Sequence, residues 1–138
     1  MSKQKELQRF YEKLLKATEI PIIETEIWSP GFYQSQGGEH RIYIKQSLPV
    51  AEKIKVVAHE YTHYIHLNKQ YENESRASSE IIAECTTYFI CEQFHLDLFQ
   101  EMDFEVLYAT NPNKDNLLKK ARSIADDMVK QIRAIETD

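Results

Sequence analysis

Five consecutive residues, His59-Glu60-Tyr61-Thr62-His63, carry the most legible chemistry in this chain. On a helix, side chains four positions apart project from one face, about one turn from each other. Two neutral imidazoles in that relation can bind one zinc ion, each nitrogen about 2.0–2.1 Å from the metal. Glu60, beside the first of them, is placed to take a proton from a water that the metal activates. Every fixed position of H-E-x-x-H therefore has a role in hydrolysis, and Zn2+ is the expected cofactor. The plain alternative is a solvated helix that happens to carry these residues.

A hydrolytic zinc site usually has three protein ligands and leaves the fourth position to water. Glu80 and Glu84 lie four apart in a stretch expected to be helical from about Ser78 to Phe94. Glu84 follows His63 by 21 residues and is surrounded by Ile81, Ile82, Ala83 and Cys85. A carboxylate in apolar surroundings needs a partner, so Glu84 is the expected third ligand. Glu80 is left as an acceptor for a ligand's imidazole N–H, as the alternative ligand, or as a charge facing solvent. Many zinc peptidases add a Tyr or His to stabilise developing negative charge, and His66, Tyr71, His95 and Tyr108 are available. His66 is the nearest, one turn past His63, although a polar residue near a helix end explains it more simply.

The stretch from Lys55 to His63 resembles the active helix of zincin metallopeptidases. Ile82 to Cys91 is similar to the A-E-x-x-A-Y-x-x-C-type helix of ArdC-like antirestriction proteins and, more loosely, to the glutamate-ligand helix of the ImmA/IrrE metallo-endopeptidases. The likeness covers roughly residues 41–97. One departure is Thr86, where the ImmA/IrrE group usually has Asn two residues after the ligand. The resemblance implies a minimal zincin-like domain with a His59–His63–Glu84 zinc site and Glu60 as general base. It also implies an endopeptidase whose substrate is a protein or peptide, such as a repressor or other regulatory protein of a phage or mobile element. A reading of another class is a non-catalytic zinc-binding antirestriction or protein-interaction module. Glu60 favours catalysis, since a purely structural site needs no base.

These residues need elements to hold them. Val50, Ile54, Val57, Ala58, Tyr61 and Ile65 form one apolar stripe at the helical period, with His59 and His63 along its edge. Ser47 and Pro49 mark the expected start of that helix, and Lys69-Gln70 its end. Upstream, Leu7, Phe10, Tyr11, Leu14 and Leu15 predict a helix over Lys3 to Ala17. Strands are expected at Ile20 to Trp28, Phe32 to Ser35 and Arg41 to Lys45, with a hairpin at Gly37-Gly38. The last of these strands is a candidate edge lining a cleft, where an extended peptide could pair, or else an internal strand. Downstream, a short helix over Phe99 to Ala109 and a long one from Asp115 complete the chain. The expected fold class is α+β: a small antiparallel sheet, the H-E-x-x-H helix, a Glu-ligand helix and C-terminal helices, in one domain over residues 1–138.

Composition narrows the classes further. A net charge of −5 argues against direct nucleic-acid binding. Basic residues of the last helix are interleaved with Asp115, Asp126, Asp127 and Glu136, as on a solvated face. No apolar run approaches the roughly 18 residues of a membrane span, and the polar N-terminus lacks the apolar core of a signal peptide. Cys85 and Cys91, six apart on one helix, are separated by about 9 Å of rise, too far for a disulfide. They read as small packing residues in a reduced, cytoplasmic protein.

Overall fold

The computed structural model describes residues 2–70, 75–99 and 113–135, with the backbone alone at 69 and 70. Helix α1, Lys3–Ala17, starts at Ser2, whose hydroxyl accepts from the Lys5 N–H at 3.2 Å. Its apolar face buries Leu7, Phe10, Tyr11 and Leu14. Three strands follow: β1 (Ile22–Thr25), β2 (Gly31–Gln36) and β3 (Glu39–Lys45). Then come α2 (Val50–Ile65), a π-helical turn (His66–Gln70), α3 (Arg76–Gln93) and α4 (Lys114–Arg133). The architecture is α+β.

The sheet is mixed, not wholly antiparallel as the sequence suggested. Strand order is β1-β3-β2, with β1 parallel to β3 and β2 antiparallel to it. Gly37 and Gly38, at φ of 60° and 82°, close the β2–β3 hairpin in the left-handed conformation that suits a two-residue turn. The connection from β1 to β2 crosses the end of β3, where the Gln46 N–H donates to the Thr25 carbonyl and the Lys45 N–H to the Pro30 carbonyl. That crossing puts β3 in the middle. Its Ile42 and Ile44 are fully buried, as a central strand requires, so Arg41 to Lys45 is not an edge. The sheet's edges are β1 and β2.

α2 lays Val50, Ile54, Val57, Ala58 and Tyr61 into the core. It begins after Pro49 with no side-chain cap, so Ser47 does not serve as one. α3 begins two residues earlier than expected, capped by the Ser75 hydroxyl, which accepts from the Ser78 N–H at 3.1 Å. α4 packs Leu117, Ala121, Ile124, Met128 and Ile132 inward. Its N-cap is Asn113, with Asp115 inside the first turn. α4 is tied to α3 by the Thr86 hydroxyl, which donates to the Ala121 carbonyl at 3.3 Å, and by the Arg122 guanidinium 3.8 Å over the Phe89 ring. Cys85 and Cys91 are free and buried, and burial pushes their thiols up to about 11 and about 12, consistent with inert packing residues. The helix expected over Phe99 to Ala109 lies, beyond its first residue, outside the described residues. Among the described residues no helix is long and apolar enough to cross a membrane.

Candidate metal centre

The C-terminal half of α2 serves two neighbours. One face carries His59 and His63 toward α3. Their Nε2 atoms lie 3.2 Å apart. Glu80 spans both, with Oε2 3.0 Å from His59 Nε2 and Oε1 2.9 Å from His63 Nε2. Ligands held about 2.05 Å from one ion at tetrahedral angles are separated by about 3.3 Å. The three side chains are therefore converged closely enough to share one small cation, and two imidazoles with a carboxylate suit zinc. Among the described residues His59, His63 and Glu80 are the group that could hold a metal ion.

Glu84, the expected third ligand, is on the other edge of the His59 ring. Its Oε1 sits 2.7 Å from His59 Nδ1. Sequence reasoning made Glu84 the ligand and Glu80 its alternative; here Glu80 is the carboxylate that reaches both Nε2 atoms. Both lie on one face of α3, and the axial register of α3 against α2 decides which one reaches the Nε2 atoms. Around the two glutamates α3 buries Ile82, Ala83, Cys85 and Thr86. Apolar neighbours correctly marked Glu84 as the less exposed carboxylate, at 35% against 51% for Glu80, but the ring tips converge nearer the open end of α3. A hydrogen bond from Nδ1–H to Glu84 would leave Nε2 of the neutral ring bare for a metal. Burial disfavours charge on His59, yet the bond and charge of Glu84, with Glu60 and Glu80 nearby, outweigh it and raise its pKa. His63 goes the other way: burial and the neighbouring His59 lower its pKa in spite of Glu80.

The other face of α2 looks at β2. Glu60, Tyr64 and Asn68, in steps of four, all engage Tyr33. The Tyr33 N–H donates to Glu60 Oε1 at 3.0 Å. Its ring packs edge-on against Tyr64, and its hydroxyl accepts from Asn68 Nδ2 at 2.8 Å while pairing with His40 Nδ1 at 2.7 Å. Gly31 permits the approach. A Cβ there would lie 2.6 Å from Val56 Cγ1 and 2.7 Å from the Tyr43 carbonyl oxygen. Burial raises the Glu60 pKa, and the His59 ring and the Tyr33 N–H only partly offset this. A carboxyl shifted toward neutrality is what acid–base catalysis needs.

His66, one of the candidates for stabilising charge on a substrate, does not face outward. It is 2% exposed, and its Nδ1 lies 3.2 Å from the Ser79 hydroxyl. His95 lies past the C-terminal end of α3, which is itself about 20 Å of helical rise from Glu80, and so is remote from the cluster. Tyr71 and Tyr108 lie outside the described residues. Two participants escaped sequence reasoning. Ser79, 3.2 Å from His63 Nδ1, has no signature beyond its place next to Glu80. The Tyr33 contact with Glu60 is made by backbone, which no side-chain pattern announces. Comparison with protein-family models, with curated proteins and with solved structures found no match for this chain.

Proposed function

We propose that this chain is a zinc-dependent endopeptidase of zincin type, with His59, His63 and Glu80 as ligands and Glu60 as general base. The observation that carries this reading is the convergence of the three donor groups within 2.9–3.2 Å of one another, one residue along the helix from a carboxylate of raised pKa. A bound zinc ion would acidify a water and polarise the carbonyl to be attacked. The rest falls to the protein. Glu60 has Oε1 engaged by the Tyr33 N–H, which leaves Oε2 to take the water's proton and return it to the departing amine. Glu84 keeps the His59 ring in the orientation and tautomer a ligand needs. β2, an edge strand beside Glu60, offers the backbone against which an extended peptide can pair. The substrate class is therefore a protein segment in extended form, and the zincin resemblance points to a regulatory protein such as a repressor.

Metal analysis, with cleavage of a quenched peptide library by wild type and Glu60→Gln, tests this reading. Zinc should be retained in both, while cleavage falls in the variant by about 10²–10⁴-fold. A zinc-loaded wild type that cleaves nothing, and whose variant behaves identically in cells, would support the zinc-binding module instead.

A further inference from the structure

Local rules are broken twice around one groove, far from His59 and His63. His95 is the one non-glycine residue with positive φ, at 56°, among the described residues. It closes α3 as the left-handed residue of a Schellman turn: its N–H donates to the Glu92 carbonyl at 3.1 Å, and the Leu96 N–H to the Cys91 carbonyl at 2.8 Å. Glycine is the usual occupant of that position, because a Cβ is unfavourable there. On α1, Arg9 and Lys13 are like charges four positions apart, an arrangement that weakens a helix. Neither they nor Lys3 carries an ion pair among the described residues, whereas Arg41, Lys53 and Lys55 each have one. Lys3, Arg9, Lys13 and His95 all line a groove of about 520 Å³ between α1 and the end of α3, whose apolar lining includes Phe10 and Phe94. The two phenyl centroids are 4.9 Å apart, and the Arg133 guanidinium lies 5.3 Å from that of Phe94. Among the described residues Glu6 is the one carboxylate on the lining. A surplus of positive charge beside apolar side chains thus sits on a chain of net charge −5.

We propose that this groove docks an acidic segment of a partner protein, with one apolar side chain entering between α1 and α3 and flanking carboxylates meeting Lys3, Arg9 and Lys13. Cations without ion pairs around an apolar cleft complement such a segment in both charge and hydrophobicity. His95 adds a ring N–H that can donate to a carboxylate in either tautomer. A nucleic-acid strand fits less well. Phe10 is buried and Arg133 lies over Phe94, so little ring face is open for a base to stack on. A flat bilayer surface cannot follow a concave cleft. The left-handed His95 and the like-charged Arg9–Lys13 pair then serve binding at the expense of stability, as strain at a ligand site does. The metal centre is about 20 Å of helical rise away along α3, so docking here does not depend on it.

Fluorescence anisotropy tests the docking site, with a fluorescein-labelled peptide in which glutamates and aspartates flank one phenylalanine. The full chain should bind this peptide saturably at low salt and lose affinity as salt rises. The double variant Arg9→Glu/Lys13→Glu should weaken binding by about tenfold or more, with its fold checked by circular dichroism. Glu6→Gln removes the opposing charge and should tighten binding, a gain that misfolding does not produce. His95→Gly should raise Tm while weakening binding, because glycine suits the left-handed turn but offers no ring. Absence of saturable binding, or binding that survives the double charge reversal, would overturn the proposal. So would equal affinity for a peptide with serine in place of the phenylalanine, for an oligothymidylate of matching charge or for phosphatidylserine vesicles. His95→Gly binding as tightly as wild type would remove His95 from the site.

Discussion

α2 repeats a four-residue step on two faces, and the two neighbours answer it in different ways. Toward α3, His59 and His63 meet side chains: Glu84, Glu80 and Ser79. Toward β2, Glu60 meets a backbone N–H, held in place by aromatic packing and the hydroxyl of Tyr33. The histidine face thus depends on helix-to-helix register, while the Glu60 face depends on how closely a strand approaches. Damage to one should leave the other largely intact.

The largest expected effect is on the α3 side. His63→Ala or Glu80→Ala should lose stoichiometric zinc by metal analysis while secondary structure is kept, since neither side chain is part of the buried core. Zinc retained in Glu80→Ala but lost in Glu84→Ala would reverse the roles of the two glutamates. Next is Glu60→Gln, where zinc stays and cleavage drops by about 10²–10⁴-fold, the clearest separation of the two faces. Glu84→Gln should weaken zinc by about 10–100-fold without abolishing it, read by chelator competition. On the β2 side, Gly31→Ala forces a Cβ against Val56 and the Tyr43 carbonyl. Overpacking of this kind costs about 1–3 kcal/mol, seen as a lower Tm, and should impair cleavage more than zinc affinity.

The smallest effect is a control away from both faces. Glu24 accepts from Lys53 at 2.6 Å and from the Tyr11 hydroxyl at 2.9 Å, linking β1 to α2 and α1. Burial pushes its carboxyl up, but the Lys53 and Tyr11 bonds and the Lys53 charge together bring it below the ordinary value. A carboxylate lowered in the folded state adds stability above its unfolded pKa, near 4.3, and loses it as pH falls through the folded value. Because the group is partly exposed, Glu24→Gln should cost no more than about 1 kcal/mol at pH 7. Denaturant titrations should show that difference closing in acid. A gap that widens in acid would contradict the assignment.

Much of this was legible in the sequence, for identifiable reasons. α1 ran over Lys3–Ala17 as its apolar spacing indicated, because that spacing is a local property. The Gly37-Gly38 turn announced its hairpin, since few other residues adopt positive φ so readily. Strand pairing was not legible. Ile22 to Thr25 alternates in the same way whichever neighbour it meets, and only the crossing of residues 26–30 over β3 makes the pairing parallel. The places of Glu80 and Glu84 were hidden for a related reason. Two carboxylates one turn apart look alike until a second helix fixes which level meets the histidines. His66 shows the limit of proximity: one turn from His63, it is nonetheless buried.

The bond from Tyr33 to Glu60 has a consequence for how this protein can vary. Its donor is an amide, so replacing Tyr33 with any residue except proline leaves the donor in place. An alanine scan through β2 would report the loss of the ring and hydroxyl but pass over the amide contact to Glu60. The residue that such a scan would expose is two positions earlier, where Gly31 lacks the atom that would hold the strand away. Selection on this edge should therefore fall on a missing side chain as well as on the ring and hydroxyl that hold Tyr33 in place.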